Sequence, residues 1–315
     1  MQNIMTVTGP IKPDELGFTS THEHVFLDNT RQQWSANTVL NNVDLAYKEL
    51  MMYKEAGGQS IIDVTTADLM DRENGRLLPV KHPEAVKDMA ERTGLNIILG
   101  TGWYREPYYH KKLYSATVNQ IADELVQDIE TGIDGTNVKA GVLGEIGTHF
   151  SWISPVEERV FRAVARAHKK TGVLITTHTN WSPVGIDHLN LLEEEGVDLR
   201  RVIVGHVQFW PDNDYHLELI RRGAFVAFDR MGTTNKTEFG IFVNAIKSII
   251  EAGFAENIVL GQDICYRADY VSYGGNGYRY MPYKMKEDFL DNGISEEAYN
   301  LMVFENPRRA LIGDN

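Results

Sequence analysis

Cysteine is nearly absent: Cys265 is the only one among 315 residues. A disulfide within the chain and a cysteine-based zinc site are therefore excluded. Long hydrophobic runs are lacking too, since no stretch approaches the roughly 20 apolar residues that cross a bilayer. The first residues do not pair a basic segment with an apolar one, so no signal peptide is expected and the cytoplasm is the default location. Positive charge is scarce: 31 Lys and Arg stand against 44 Asp and Glu, a net charge of -13. That balance argues against nucleic acid and anionic membranes as partners and leaves a small-molecule substrate as the expected one. There is no linker, low-complexity tract or 20–50-residue repeat to divide the chain, which reads as a single domain over 1–315.

What is present is a regular text. Hydrophobic residues make up 43% of the chain, enough for a sizeable core. Short β-branched runs recur at about 17–26, 60–66, 96–103, 140–147, 173–179, 202–208, 224–230 and 257–264. Amphipathic stretches lie between them, including 44–55, 82–93, 118–131 and 155–171. The last opens on Ser154-Pro155-Val156-Glu157, a good N-cap followed by proline and an acidic first turn. Glycines such as Gly94, Gly172, Gly196, Gly223 and Gly253 mark the return to the next strand. Helix, glycine, strand, eight times in about 300 residues, predicts a (β/α)8 TIM barrel. An open doubly wound sheet is the second choice, but no Gly-x-Gly-x-x-Gly follows the first strand. Residues 1–16 read as a short β-hairpin, and 17–315 as the barrel with a C-terminal loop and helix. The Gly- and Tyr-rich stretch 270–283 reads as a long loop able to close over a site.

Six metal-ligand side chains fall at the ends of these apolar runs: His22, His24, Glu145, His178, His206 and Asp263. In a barrel, strand ends on one face converge. His22 and His24, two apart on a strand, point to the same side. One histidine at a strand end is bland, whereas six ligands at one recurring address form a metal-site candidate. Two divalent ions fit this number. His22, His24 and Asp263 would hold one, His178 and His206 the other, and Glu145 would bridge them. Imidazole and carboxylate suit zinc first, with manganese, cobalt or iron also accommodated. Such a pair would polarise a carbonyl or phosphoryl oxygen and lower the pKa of a bridging water to give a hydroxide nucleophile.

Here the residues match a family. Thr6-Val7-Thr8-Gly9-Pro10, Gly17-Phe18-Thr19, Thr21-His22-Glu23-His24, Thr177-His178-Thr179, Gly205-His206 and Gln262-Asp263 resemble the phosphotriesterase-like branch of the amidohydrolase superfamily. The resemblance runs through essentially the whole chain. It implies a distorted (β/α)8 barrel, a binuclear metal centre, hydrolase chemistry, and an Asp263 carboxylate that moves a proton from the attacking water toward the leaving group. It also suggests a homodimer. Many members bridge their metals with a carboxylated lysine on strand four. This chain has Glu145 there. Lys139, six residues earlier, would sit about 20 Å lower along the strand. The chain thus resembles the glutamate-bridged phosphotriesterase homology and lactonase-like subgroup.

On the substrate side, Phe228-Asp229-Arg230-Met231-Gly232 resembles a segment of lactonase-type relatives. Arg230 could hold an anionic group through its planar fork, or be bound to a neighbouring carboxylate. Tyr104 or Trp103, in an aromatic segment after strand three, could line the pocket, and Arg267 follows strand eight. His149 lies four residues past Glu145, within reach of the site. The expected activity is hydrolysis of a small ester, lactone or amide, anionic if Arg230 faces it. Phosphotriester or phosphodiester hydrolysis is the alternative, since the same nucleophile serves both. A non-catalytic metal- or small-molecule-binding barrel is the third reading.

Overall fold

The computed structural model describes residues 3–31, 34–70 and 78–313. Twelve strands are present among them: β1 Ile4–Thr6, β2 Gly9–Ile11, β3 Thr19–Glu23, β4 Leu27–Asp28, β5 Val39–Leu40, β6 Ser60–Asp63, β7 Asn96–Thr101, β8 Val142–Gly147, β9 Leu174–His178, β10 Val202–Gly205, β11 Phe225–Phe228 and β12 Ile258–Leu260. Eight of these form one sheet in the order β12-β11-β10-β9-β8-β7-β6-β3. Every pairing within it is parallel. The eight predicted runs are these eight strands, each shorter than its apolar run. The helices predicted at 82–93 and 155–171 are found as His82–Thr93 and Pro155–Thr171. Ser154 and Glu157 cap the latter reciprocally: the Glu157 amide donates to Ser154 Oγ, and the Ser154 amide to Glu157 Oε2.

The period of two divides the core. Ile97 and Leu99 of β7, like Val202 and Val204 of β10, pack outward under the helices. Ile98 and Ile203, one residue out of step, pack inward with Ile62, Val142, Leu174, Phe225, Ala227 and Val259 to fill the barrel. Ile4, Leu16 and Leu311 join that inner cluster. The N-terminal hairpin, β1 against β2, therefore supplies part of the barrel's floor; residues 1–2 of the expected hairpin lie outside the described residues.

The barrel is nearly closed, and its distortions fall where the site is. Between β12 and β3 the backbone ladder gives way to other bonds. Thr21 Oγ1 donates to the Leu260 carbonyl, and the Asp263 amide donates to the His22 carbonyl. Register slips between Ser20 and Glu23 on β3, and between Leu143 and Ile146 on β8. The second slip holds Gly144, at φ 133°, and a cis peptide joins it to Glu145. A Cβ at residue 144 would overlap the Thr176 carbonyl oxygen on β9, so only glycine lets β8 pass here. No helix among the described residues is long and apolar enough to cross a membrane.

The loop over 270–283 is no free flap. Tyr278 is buried and donates its hydroxyl to the His24 carbonyl at 2.6 Å. The amides of Val271 and Ser272 donate to Glu49, itself buried in the helix Val43–Glu55. Tyr278 and the amides of Val271 and Ser272 thus anchor the loop at the barrel mouth.

Candidate metal centre and its cavity

The six ligand-type side chains meet at the C-terminal mouth of the barrel. Glu145, carried inward by the irregular turn of β8, occupies the middle. Its Oε2 is 2.9 Å from His178 Nδ1, 3.5 Å from His22 Nε2 and 3.6 Å from His206 Nε2, and its Oε1 is 3.5 Å from His24 Nε2. Asp263 Oδ1 lies 3.4 Å from His24 Nε2 and 3.9 Å from His22 Nε2. Two sets of ligand atoms lie within 4.8 Å of one another: His22, His24 and Asp263, and His22, Glu145 and His206. His178 reaches the centre through its contact with Glu145, and Tyr104 Oη stands 3.2 Å from its other nitrogen.

The imidazoles are held from behind. His206 Nδ1 pairs with Asp229 Oδ1 at 2.7 Å, and Asp229 Oδ2 accepts the His206 amide at 2.9 Å and lies 3.4 Å from His22 Nδ1. His24 Nδ1 bonds Thr65 Oγ1 at 2.8 Å. Both arrangements leave Nε2 directed into the cluster. Asp63 in turn accepts the amides of Val25 and Thr65. Glu23, on the opposite face of β3 from its two histidine neighbours, accepts Ser20 Oγ and the amides of Gln262 and Ile264. It welds the β3–β12 seam, and burial pushes it up to about 8.

Charge in the cluster is strongly coupled. Burial pushes the Asp263 and Glu145 carboxyls up, but the surrounding imidazoles outweigh it and hold both below the usual range; Arg230 adds to the effect at Asp263. Burial pushes His178 down to about 4, with His206 adding to the shift. At His206 burial acts downward too, but Asp229 overcomes it and raises the imidazole.

A cavity of about 220 Å³ opens above the cluster. Glu145, His178, His206 and Asp263 form its floor, and Tyr104, Arg105, Asn180, Trp181, Phe209, Arg230, Cys265 and Tyr266 line its walls. Tyr104 is thus at the cavity, as is Arg230. The fork of Arg230, however, is engaged: Nη1 and Nη2 bind Asp269 at 3.1 and 3.2 Å, and Nη1 also donates to the Asp263 carbonyl at 2.5 Å. Two other candidate contacts lie away from this cavity. Trp103 is buried, with Lys112 Nζ 5.4 Å above its ring, and lines a separate cavity beside Asp128 and Tyr108. Tyr104, its neighbour, lines the cavity above the cluster instead. Arg267 turns away as well, donating to the Val39 carbonyl and to Asn41 Oδ1 and so tying the loop after β12 to β5. His149 packs its ring on Phe150 and is not among the cavity residues. Cys265 lines the cavity wall, and burial, the largest influence, pushes its thiol well above the ordinary range.

Several residues escaped the sequence reading. Asp229 was legible in retrospect: it is two residues from the inward Ala227 and therefore shares its face. Arg105, Asn180, Trp181 and Phe209 sit on loops, where no periodicity reports direction.

Comparison with known proteins agrees with this geometry. The model of the Phosphotriesterase family matches residues 2–311. A phosphotriesterase homology protein of Escherichia coli K12 is 32% identical, over 93% of this chain and 97% of its own. The crystal structure of the Escherichia coli protein with phosphate in its active site superposes with a TM-score of 0.87, at 31% identity, covering 94% of this chain and 99% of that one. An N-acetyltaurine hydrolase of Danio rerio is 28% identical over 98% of this chain and 97% of its own. A lactonase of Listeria monocytogenes shares the fold, with a TM-score of 0.89 at 24% identity and coverage of 98% and 99%. With the barrel, the strand-end cluster and a family match along nearly its whole length, the chain belongs to the phosphotriesterase family and is a hydrolase.

Proposed function

We propose that this hydrolase carries a binuclear metal centre and cleaves a small ester, lactone or amide. The observation that carries the reading is a buried cluster of six ligand-type side chains in which one imidazole nitrogen is left without a partner. His22 Nε2 is buried without a hydrogen-bond partner among the described residues, although it faces Glu145 and Asp263. A buried polar atom left so costs about 1–3 kcal/mol. Backing of imidazoles by Asp229 and Thr65 is what metal ligation requires. The residues therefore fit the ions: His22, His24 and Asp263 would hold one, His178 and His206 the other, with Glu145 shared. When bound, two divalent ions supply Lewis acidity and a water of lowered pKa.

The chain's own groups do the rest. Asp263, ionised and at the cavity floor, accepts a proton from the attacking water and hands it to the departing nitrogen or oxygen as the carbon–heteroatom bond breaks. Its φ of 47° lies in the left-handed region, and the His22 carbonyl and Arg230 hold it there. Tyr104 steadies His178 from the cavity wall. An amide substrate with an anionic substituent is supported by the relatives that hydrolyse N-acetyltaurine and by the phosphate in the Escherichia coli relative's site. Arg230, already paired with Asp269, is not by itself an anion receptor.

Metal analysis and a substrate panel test the reading. Two ions per chain and turnover of N-acyl amino acids, N-acetyltaurine or lactones are expected. Two ions with turnover of aryl phosphotriesters alone would favour the phosphoric ester reading, and metal without any turnover would favour a binding barrel. Glu145 carries its own negative charge, so metal loading of the apoprotein is expected to proceed equally with and without bicarbonate. A bicarbonate requirement would show that some group other than Glu145 completes the centre.

A further inference from the structure

The loops after β9 and β10 place two aromatic rings face to face at the rim of the cavity. Trp181 and Phe209 stack with centroids 4.5 Å apart and planes 8° from parallel. Both line the cavity that holds Glu145, His178 and Asp263. The indole is 68% exposed, although a stacked tryptophan is among the side chains that gain most from being covered. Its backbone is held at φ 52°, a left-handed conformation that an L-residue adopts at some cost. Phe209 is fixed from below, with its ring 6.1 Å from those of His206 and Phe242. Asn180, next to Trp181, is pinned by Arg105 at 3.1 Å and by the His149 carbonyl. The shelf is therefore rigid, apolar and continuous with the catalytic floor. Arg230 and Tyr266 line the same cavity and give it a polar part, the Tyr266 ring lying 5.5 Å from the guanidinium.

We infer that Trp181 and Phe209 form an apolar subsite for the acyl chain of the substrate, with the polar leaving part directed toward Arg230 and Tyr266. The substrate class is then an acyl compound longer than acetyl, lying across the cluster with its scissile carbonyl above Glu145. This inference rests on the hydrolase reading of the same cavity. The occupant is the substrate's own chain because the shelf is a wall of the site and not a face elsewhere on the molecule.

The test is a chain-length series on the metal-loaded protein, N-acyltaurines from acetyl to octanoyl. Full burial of a methylene is worth about a fourfold gain in kcat/KM, and a half-open shelf about twofold. The wild type should climb by about that factor per methylene. Trp181→Ala should flatten the slope, and Trp181→Phe, which keeps a ring, should restore most of it. A slope unchanged in Trp181→Ala would overturn the subsite. So would a Trp181→Ala protein whose oligomeric state changes while its slope does not, since a second copy of the chain would then be the shelf's occupant. A binding measurement separates this inference from the hydrolase reading. Octanoate should quench tryptophan fluorescence saturably where acetate does not, and Trp181→Ala should abolish the effect, whether or not any amide is turned over. Equal behaviour of the two acids would overturn the subsite even in an active hydrolase.

Discussion

In the proposed centre Asp263 would do two jobs with one carboxylate, metal ligation and proton transfer, and the two can be pulled apart. Asparagine keeps its shape and one oxygen toward His24 but cannot accept a proton. In Asp263→Asn protein loaded to full metal content, kcat for an amide or a poor leaving group should fall by about 10² to 10⁴. An unchanged kcat at full loading would remove Asp263 from proton transfer. Asp229 acts through its neighbours: it grips His206 by ring and amide and reaches His22 from behind. Asp229→Asn should weaken metal binding by about 10- to 100-fold in a chelator competition. Equal affinity in the variant would mean that the imidazoles hold their orientation without it.

At the scale of elements, β3 and β8, two of the strands that carry candidate ligands, depart from regular register. Gly144 makes this testable. A methyl group there meets the Thr176 carbonyl, a neighbour in the sheet that cannot move alone. Gly144→Ala should therefore displace Glu145 and cost both stability, by more than about 2 kcal/mol, and metal content. A variant with wild-type Tm and two ions would show that β8 has slack. The same element shows what the sequence could and could not reveal. An apolar run ending in Glu145 announces a strand with a carboxylate at its tip, and the glycine–strand rhythm announces a barrel. The slip in register is invisible, because it depends on what β9 presents to Gly144. Loops fail for a related reason. Trp103 and Tyr104 are adjacent aromatics in a segment without a period, and sequence alone did not say which would face the site. Asp229, one residue past β11, keeps the face of Ala227, so its direction follows from the strand's period. Arg267 read as a candidate substrate contact and 270–283 as a long loop, because their partners, Val39, Glu49 and the His24 carbonyl, are all distant in sequence.

For the whole molecule, three buried histidines outside the candidate metal centre, His168, His188 and His216, make stability depend on pH. His188 is buried between the helix Gly185–Glu194 and the barrel, with its ring 4.5 Å from Phe161 and its Nε2 3.3 Å from Thr148. Burial, with a smaller contribution from His178, pushes it down to about 3. Burial also lowers His168 and His216. An unfolded histidine titrates near 6.5, so below that pH the unfolded chain takes up protons that the folded chain refuses. The stability is complete above about 6.5 and is lost as pH falls toward 3. For His188 alone the loss at pH 5 comes to about 2 kcal/mol. His188→Phe keeps a ring against Phe161 and deletes the proton, at the cost of the Thr148 contact. Measured by denaturation at pH 7.5, this variant should be less stable than the wild type. At pH 5 the difference should shrink or reverse by about 2 kcal/mol, because metal loss and every other titration are common to both proteins and cancel. A difference that stays constant between the two pH values would mean that His188 is protonated in the folded barrel, and that the pocket around it admits the charge.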